Sequence, residues 1–209
     1  MPTSCRSRRP TRRCRARSEA CAPRAIPYTL HADGRAAASS FSIAFESSGA
    51  AAAVFQVRSA DSTQGPRSYT VESGKQLTDS WDLGSGYDLA VFGPNGFLRR
   101  FKGGAGGPSA GLAVRARYSR RQAEIVLELE NHGSARVEVS VSNRYSPKRT
   151  TLTLVPGGAK APRWSLERTG GWYDLVVTVR DDRQFEYRYA GHLENGEASI
   201  SDPGMGGLI

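Results

Sequence analysis

The chain has 209 residues, of which 38% are hydrophobic, enough to bury the core of one large domain or of two smaller ones. Its mean hydropathy is −0.47, and it lacks the apolar run of about 18 to 20 residues that a membrane-spanning helix requires, so we do not expect it to cross a bilayer. The net charge of +9 indicates an anionic partner only if it is spread over the folded part.

The first 24 residues carry most of that charge. They contain eight arginines and one acid, a balance of +7, which leaves +2 for the rest of the chain. Cys5, Cys14 and Cys21 also lie there, without the paired spacing or nearby histidines of a zinc site. The segment lacks the apolar stretch of a secretory signal. We expect 1–24 to be a disordered basic leader; the alternatives are a tail for anionic lipid or nucleic acid, and residues translated from an upstream start or a shifted frame.

Patterned sequence begins near Pro27. Residues 28–31 predict a short strand before an Asp33-Gly34 turn, and residues 41–45 alternate apolar with small polar side chains, as a half-buried strand does. Further strands are predicted over 53–57, 67–71 and 75–81, and then over 112–118, 123–130, 137–141, 150–154 and 164–166. Because no stretch keeps an apolar period of 3.6 residues, we expect β structure.

Two stretches have the pattern of a β-hairpin, SGYDLAVFGPNGFLRRFKG at 85–103 and GGWYDLVVTVRDDRQFEYRYAG at 170–191. Each enters through glycine and an aromatic residue, continues with Tyr-Asp-Leu, and joins two apolar-alternating runs through a turn. Other landmarks recur in the same order at nearly constant offset, which indicates an internal repeat. The matched residues are Phe45 with Leu129 (offset 84), Trp81 with Trp164 (83), and Tyr87 with Tyr173 (86).

The sequence therefore predicts an all-β protein with two tandem small antiparallel β-sandwich domains after the leader. Their expected bounds are 25–103 and 112–197, with a glycine-rich linker at 104–111 and a C-terminal tail at 198–209. The first core is expected to contain Phe41, Ile43, Phe45, Val54, Leu89 and Val91. The second is expected to contain Ile125, Leu127, Leu129, Val137, Val139, Leu175 and Val177.

A search for reactive groups predicts no catalytic, cofactor-binding or metal-binding residue. His31, His132 and His192 have no metal-ligand spacing and are interpreted as turn or edge residues. Asp181-Asp182 is predicted to form the second hairpin's turn, with a calcium site at the sandwich tip as the alternative. Ser109 lies in a G-x-S-x-G match that lacks the strand before it and the helix after it that a nucleophile elbow needs.

Other matched polar and aromatic residues are interpreted as structural. Asp88 and Asp174 are expected to accept backbone N–H bonds in the preceding turns. The three tryptophans are expected in the core or between sheets rather than in a membrane-dipping belt; they are Trp81, Trp164 and Trp172. Arg99, Arg100 and Lys102 on the first hairpin fit either a phosphate-bearing surface or a solvated strand face.

The two hairpins, together with AGHLENGEASISDPGMG near the end of the chain, resemble the repeated C-terminal domain of bacterial phosphocholine-preferring phospholipases C over roughly 25–205. The resemblance implies a secreted or periplasmic protein class that hydrolyses phosphatidylcholine or sphingomyelin, with the reacting residues in a large N-terminal α/β domain. No functional residue can be carried over, because the match covers the accessory part of that family.

We therefore expect this chain to be an accessory region of a phospholipase C. It would support or target a catalytic domain that is absent from this chain, and the accessory region alone is expected to be inactive. Its expected partners are that catalytic domain, in cis or from a split gene, and a phospholipid surface, but no nucleic acid and no cofactor. The alternative is a stand-alone β-sandwich module for adhesion or binding. The sequence leaves open the oligomeric state and the relative orientation of the two domains.

Overall fold

The computed structural model describes residues 26–37, 39–196 and 199–205, so the predictions on the basic leader and its cysteines lie outside it. Within those ranges the chain forms antiparallel β-strands and one short 3₁₀ helix, Glu167–Thr169. None of the described helices is long and apolar enough to cross a membrane. The all-β prediction is confirmed.

The first half contains seven strands and the second half eight, in chain order. The first seven are β1 (Leu30–Ala36), β2 (Ser40–Ser47), β3 (Ala53–Ser59), β4 (Arg67–Val71), β5 (Lys75–Asp82), β6 (Gly86–Phe92) and β7 (Leu98–Gly104). The others are β8 (Leu112–Ser119), β9 (Glu124–Asn131), β10 (Val137–Asn143), β11 (Ser146–Leu154), β12 (Ala159–Lys160), β13 (Arg163–Ser165), β14 (Trp172–Val179) and β15 (Asp182–His192).

Two small sheets cover one large sheet. The large sheet has eight strands in the order β11-β10-β14-β15-β7-β6-β3-β4. One small sheet, β1-β2-β5, belongs to the first half, and the other, formed by β8, β9, β12 and β13, belongs to the second. Each half is thus a β-sandwich, and the tandem-sandwich prediction is confirmed; the bounds 25–103 and 112–197 stay predictions.

The two halves are joined by strand pairing. β15 of the second half hydrogen-bonds to β7 of the first, with Tyr187 opposite Phe101 and Tyr189 opposite Arg99. The small sheets also meet, because β8 runs beside β1 and Arg117 reaches Asp33 at 3.6 Å. The orientation that the sequence left open is therefore fixed by a continuous sheet, and the halves form one two-layer body.

We call the end of this body where β1 begins the upper end. The register of the strands places there the turn between β6 and β7, the turn between β10 and β11, the 3₁₀ helix and the C-terminal segment after β15. The opposite, lower end holds the loop between β3 and β4 and the turn between β14 and β15.

The strand periodicity predicted the core with one error. Every expected core residue is buried except Val54, which is 47% exposed. In β3 the inward set is Ala53, Phe55 and Val57, because the pleat points alternate side chains to opposite faces and this register buries the phenylalanine.

The expected Asp33-Gly34 turn is wrong. Both residues lie inside β1, which pairs along its whole length with β2, and the chain turns later, where the Ala37 N–H donates to the Ser40 carbonyl at 2.8 Å. Gly34 serves packing instead. A Cβ there would lie 2.5 Å from Phe41 Cζ, so only glycine leaves room for the aromatic ring.

The glycine-rich segment before β8 forms a defined turn. The Ser109 hydroxyl donates to the Asp182 carboxylate, and the Leu112 N–H donates to the Ser109 carbonyl at 2.9 Å. Gly111 packs against the backbone of Gly133, which a Cβ would approach to 2.3 Å. Its description as a linker, 104–111, stays a prediction.

Candidate functional site

The three histidines lie apart. His31 is on β1 with its ring 5.1 Å from the Tyr118 ring, and burial lowers its pKa. His132 is exposed after β9, where Nε2 lies 3.1 Å from a Glu130 carboxylate oxygen. Among the described residues, no three His, Cys, Asp or Glu side chains are grouped closely enough to hold a metal ion.

His192 lies in a polar cluster at the upper end. Its Nδ1 is 2.7 Å from Glu194 Oε1, and its Nε2 is 2.8 Å from the Gly170 carbonyl and 2.9 Å from Ser199 Oγ. Both ring nitrogens are therefore held by polar partners, with the carboxylate on one side of the ring and the carbonyl and hydroxyl on the other. The Ser199 hydroxyl donates to the same Gly170 carbonyl at 2.6 Å. The arrangement therefore fastens the C-terminal segment rather than activating a serine.

Asp181-Asp182 and Ser109 are also structural. Asp182 begins β15, and its carboxylate accepts hydrogen bonds from the Ser109 hydroxyl and the Gln184 N–H. The hairpin turn consists of Arg180 and Asp181, so the predicted turn is one residue out of place and Asp182 is the first residue of the strand that follows. Ser109 is bonded to a carboxylate and not to a histidine, so the arrangement of an activated nucleophile is not formed there.

Asp88 and Asp174 have partners other than the predicted backbone N–H groups. Arg100 donates to both oxygens of Asp88, at 2.8 and 2.7 Å. Arg188 donates to both oxygens of Asp174, at 2.8 and 2.6 Å. Such two-point carboxylate–guanidinium pairs are the strong form of a salt bridge. The prediction of a structural role stands, but its chemistry differs because the partner approaches from the neighbouring strand.

The basic side chains of the first hairpin do not form one surface. Arg99 is fully buried, Arg100 is bound to Asp88 and to Glu186 at 3.4 Å, and only Lys102 is exposed. Alternation along β7 sends Arg99 inward and its neighbours outward. The hairpin therefore offers no cluster of free cations to a phosphate-bearing surface.

Arg99 lies where the two halves meet. Its Nη1 donates to the Leu98 carbonyl at 2.7 Å and to the Ala190 carbonyl at 3.0 Å. Its Nη2 donates to the hydroxyls of Tyr118 and Tyr173, and its guanidinium lies 4.2 Å from the centre of the Phe97 ring. Burial raises the pKa of Tyr118 well above its ordinary value, so this hydroxyl stays neutral. The charge is satisfied by neutral acceptors and aromatic faces.

The tryptophans occupy three environments. Trp81 is buried, with the Arg67 guanidinium 4.9 Å from its ring centre. Trp172 packs on His192, and its Nε1 donates to the Ile200 carbonyl at 2.8 Å. Trp164 is half-buried on β13 and lines an open cleft.

Two clefts occupy equivalent places in the two halves. The lower cleft, about 800 Å³, is lined by Ser59 and Trp81 among others. The upper cleft, about 550 Å³, is lined by Asn143 and Trp164. Ser59 and Asn143 are matched, because they pair with the equivalent residues Leu89 and Leu175. Sequence reasoning missed both clefts, although the recurrence of Trp81 as Trp164 marked their position.

The linings of the two clefts differ in charge. The charged residues of the lower cleft are Asp61, Asp82, Asp88, Lys102 and Arg183. Those of the upper cleft are Lys148, Arg163 and Arg168. The first set mixes both signs, whereas the second is wholly basic.

Comparison with known proteins supports the resemblance seen in the hairpins. The sequence profile of the family described as "Bacterial phospholipase C, C-terminal domain" matches residues 22–104 and 112–192. The chain is 40% identical over 191 residues to "Non-hemolytic phospholipase C" of Burkholderia pseudomallei. It is 37% identical over 195 residues to "Non-hemolytic phospholipase C" of Pseudomonas aeruginosa and 33% identical over 223 aligned positions to "Hemolytic phospholipase C" of the same species.

These alignments include most of this chain but a minor part of each relative. They cover 87%, 88% and 86% of the chain, and 27%, 28% and 29% of the respective relatives. The chain therefore spans less than a third of the length of these curated relatives, and the two matched segments correspond to its two structural halves.

Proposed function

Because the chain belongs to the family of bacterial phospholipase C C-terminal domains, we propose that it is the non-catalytic part of a phospholipase C that acts on choline phospholipids. In this role it supports a catalytic part that corresponds to the unmatched portion of its relatives. The observation that carries the proposal is the double match to a C-terminal family over less than a third of each relative's length.

The fold suits a rigid support. Pairing of β7 with β15 gives both halves one sheet, and the contact of Arg99 with Tyr118 of β8 connects that sheet to the small sheet packed on it. A body of this kind can hold a neighbouring domain in one position, whereas two sandwiches on a flexible linker would not.

The distribution of exposed apolar side chains indicates which face meets the catalytic part. Among the described residues, seven large hydrophobic side chains are exposed: Ile26, Val54, Leu77, Phe92, Val155, Ile200 and Met205. All except Val155 lie toward the upper end, at strand ends or in the segments that flank them. Residues preceding β1 also approach the body at this end, so the upper end is the proposed contact face.

A chimera tests the proposal. The region of the Burkholderia pseudomallei relative that matches this chain is deleted, or replaced by residues 25–209, and phosphatidylcholine hydrolysis and the half-life at raised temperature are measured. We expect the deletion to lose activity or thermal half-life and the chimera to recover most of it. A deletion that behaves like the intact relative, or a chimera no better than the deletion, contradicts the proposal.

Two variants locate the contact. In the chimera, Phe92→Ser at the upper end is expected to shorten the half-life, and Val155→Ser at the lower end serves as the matched control. Both residues are exposed, so neither change opens a cavity. Equal effects of the two variants would contradict the assignment of the face.

The chain alone is expected to hydrolyse no phosphocholine ester, and turnover by the purified chain would overturn the assignment of catalysis to the unmatched part.

Location outside the cytoplasm and contact with phospholipid are further parts of the proposal, which the family resemblance supports. Flotation with phosphatidylcholine vesicles tests that contact; a chain that remains in the dense fraction at low salt would remove the targeting role.

A further inference from the structure

The upper cleft has the composition of an anion site. It opens between the turn that joins β10 to β11 and the segment of β13 and the 3₁₀ helix, and its volume is about 550 Å³, within the range of small-molecule sites. Its three charged lining residues are cations from three separate places in the chain, Lys148 on β11, Arg163 on β13 and Arg168 in the 3₁₀ helix.

These cations are not neutralised by close partners. Neither Lys148 nor Arg168 has an ion pair within the part of the chain that the structure describes, and Arg163 lies 4.0 Å from Glu124. Asp202 of the C-terminal segment accepts hydrogen bonds from the Tyr145 hydroxyl and the Gly204 N–H, each at 2.7 Å. The lining therefore carries an excess of positive charge that a bound anion would offset.

The fold itself does not require this charge. The lower cleft has the same position in the first half, and there three aspartates accompany two cations. One architecture thus carries a mixed lining in one copy and a basic lining in the other. Since exposed strand ends tolerate either charge, the difference is best explained by a ligand of the upper cleft.

We propose that the upper cleft binds the phosphate group of an organic phosphate. A phosphate dianion can engage several cations at once, whereas a single carboxylate would leave at least one of the three without a partner. Trp164 and Tyr145 line the same cleft and provide aromatic surface for the organic part of the ligand. The cleft lies at the upper end, on the face proposed to meet a catalytic part, but binding of phosphate by this chain alone does not depend on that contact.

Titration of the whole chain tests the site. Glycerol phosphate, inorganic phosphate and acetate are added separately while tryptophan fluorescence is followed, with Trp164→Phe identifying the signal of the cleft. We expect saturable binding of glycerol phosphate that exceeds binding of inorganic phosphate, and no saturation with acetate. Raised salt is expected to weaken the binding.

The variant Lys148→Glu with Arg168→Glu removes the two unpaired cations, and Lys160→Glu with Arg136→Glu makes the same net change on exposed residues outside the lining. We expect at least a tenfold loss of affinity in the first and less than a twofold loss in the second. Circular dichroism and the thermal midpoint show whether both remain folded.

The source of the phosphate is distinguished with vesicles of phosphatidylglycerol in phosphatidylcholine. Binding that Lys148→Glu with Arg168→Glu abolishes, and that glycerol phosphate does not displace, assigns the site to a lipid headgroup. Displacement by glycerol phosphate assigns it to soluble phosphates. The proposal is overturned if neither the fluorescence titration nor the vesicle experiment shows binding, or if the two double variants lose affinity equally. Because every protein compared keeps the arginines of the leader, those arginines cannot cause a difference between the variants.

Discussion

Arg100 and Arg188 lie directly opposite each other where β7 pairs with β15. Arg100 of β7 and Arg188 of β15 are equivalent residues of the two halves, at an offset of 88. With the same offset Arg99 is equivalent to Tyr187 and Phe101 to Tyr189. The facing pair Arg99–Tyr189 therefore corresponds to the facing pair Tyr187–Phe101. The contact between the halves is therefore self-complementary around this arginine pair, as in a symmetric dimer. Like charges in facing positions are unfavourable, and each arginine is neutralised by its own aspartate.

We expect Asp174→Asn to lower the free energy of unfolding by about 2 kcal/mol, because the side chain is only 6% exposed and its loss leaves Arg188 unpaired. Asp88→Asn is expected to cost about 1 kcal/mol, since this side chain is 22% exposed. Urea unfolding measures both. Equal costs, or a greater cost for Asp88→Asn, would contradict the role given to burial.

Arg99→Lys is expected to destabilise the protein by about 2 kcal/mol or more, although it keeps the charge. An ammonium group cannot reach the two carbonyls and two phenols that the guanidinium joins. Arg99→Leu is expected to cost about 3 to 5 kcal/mol, because it leaves buried polar groups without partners. Chemical unfolding gives both values.

Arg35→Lys is the control for Arg99, because Arg35 is exposed on β1. Its effect is expected to remain within about 0.5 kcal/mol. If Arg99→Lys were as mild as this control, the inferred four-way contact would be wrong.

Gly34→Ala is expected to cost about 1 to 3 kcal/mol through overpacking. The added Cβ would lie 2.5 Å from Phe41 Cζ and 2.9 Å from Phe101 Cδ1, so rings at the centre of the first core must move. Gly65→Ala is the matched control, since nothing lies within 4 Å of its added Cβ. A thermal midpoint unchanged in Gly34→Ala would refute the packing argument.

Stability is expected to fall between pH 10 and about pH 12. Burial raises the pKa of Tyr87 to about 12 from an ordinary 10.0, and burial together with Asp79 raises that of Tyr69 to about 12. The unfolded chain then loses these protons first, so the stabilisation is complete below pH 10 and lost as pH rises through the folded-state values.

Phenolate absorbance and unfolding as a function of pH measure this effect. Tyr87→Phe is expected to remove one late-titrating phenol and to make the alkaline loss of stability shallower. Complete ionisation of every tyrosine near pH 10 in the folded protein would be inconsistent with the burial of Tyr87.

Local pattern was sufficient for much of the fold. Alternation identified Phe41, Ile43 and Phe45 as one buried face, and the recurrence of Tyr-Asp-Leu matched two hairpins that pair in equivalent registers. It failed at Asp33-Gly34, where a dipeptide common in turns lies within a strand. There the packing of Phe41 and Phe101 outweighs turn propensity.

The remaining features depend on contacts that are distant in sequence. Alternation with Phe97 and Phe101 places Arg99 on the inward face, but the groups that satisfy its charge lie on β8, β14 and β15 and cannot be found from local pattern. The upper cleft likewise combines β11, β13 and the 3₁₀ helix. The matched tryptophans indicated its place but not the charge of its lining.

The pairing of β7 with β15 also explains why the unit occurs in duplicate. A fragment limited to one half would present β7, or β15 in the other half, as an open sheet edge. The unpaired N–H and carbonyl groups of that edge would be available to any similar edge. Its best partner would be a second copy of itself, since the contact is self-complementary. Having both copies in one chain satisfies the edge internally and makes the pairing independent of protein concentration.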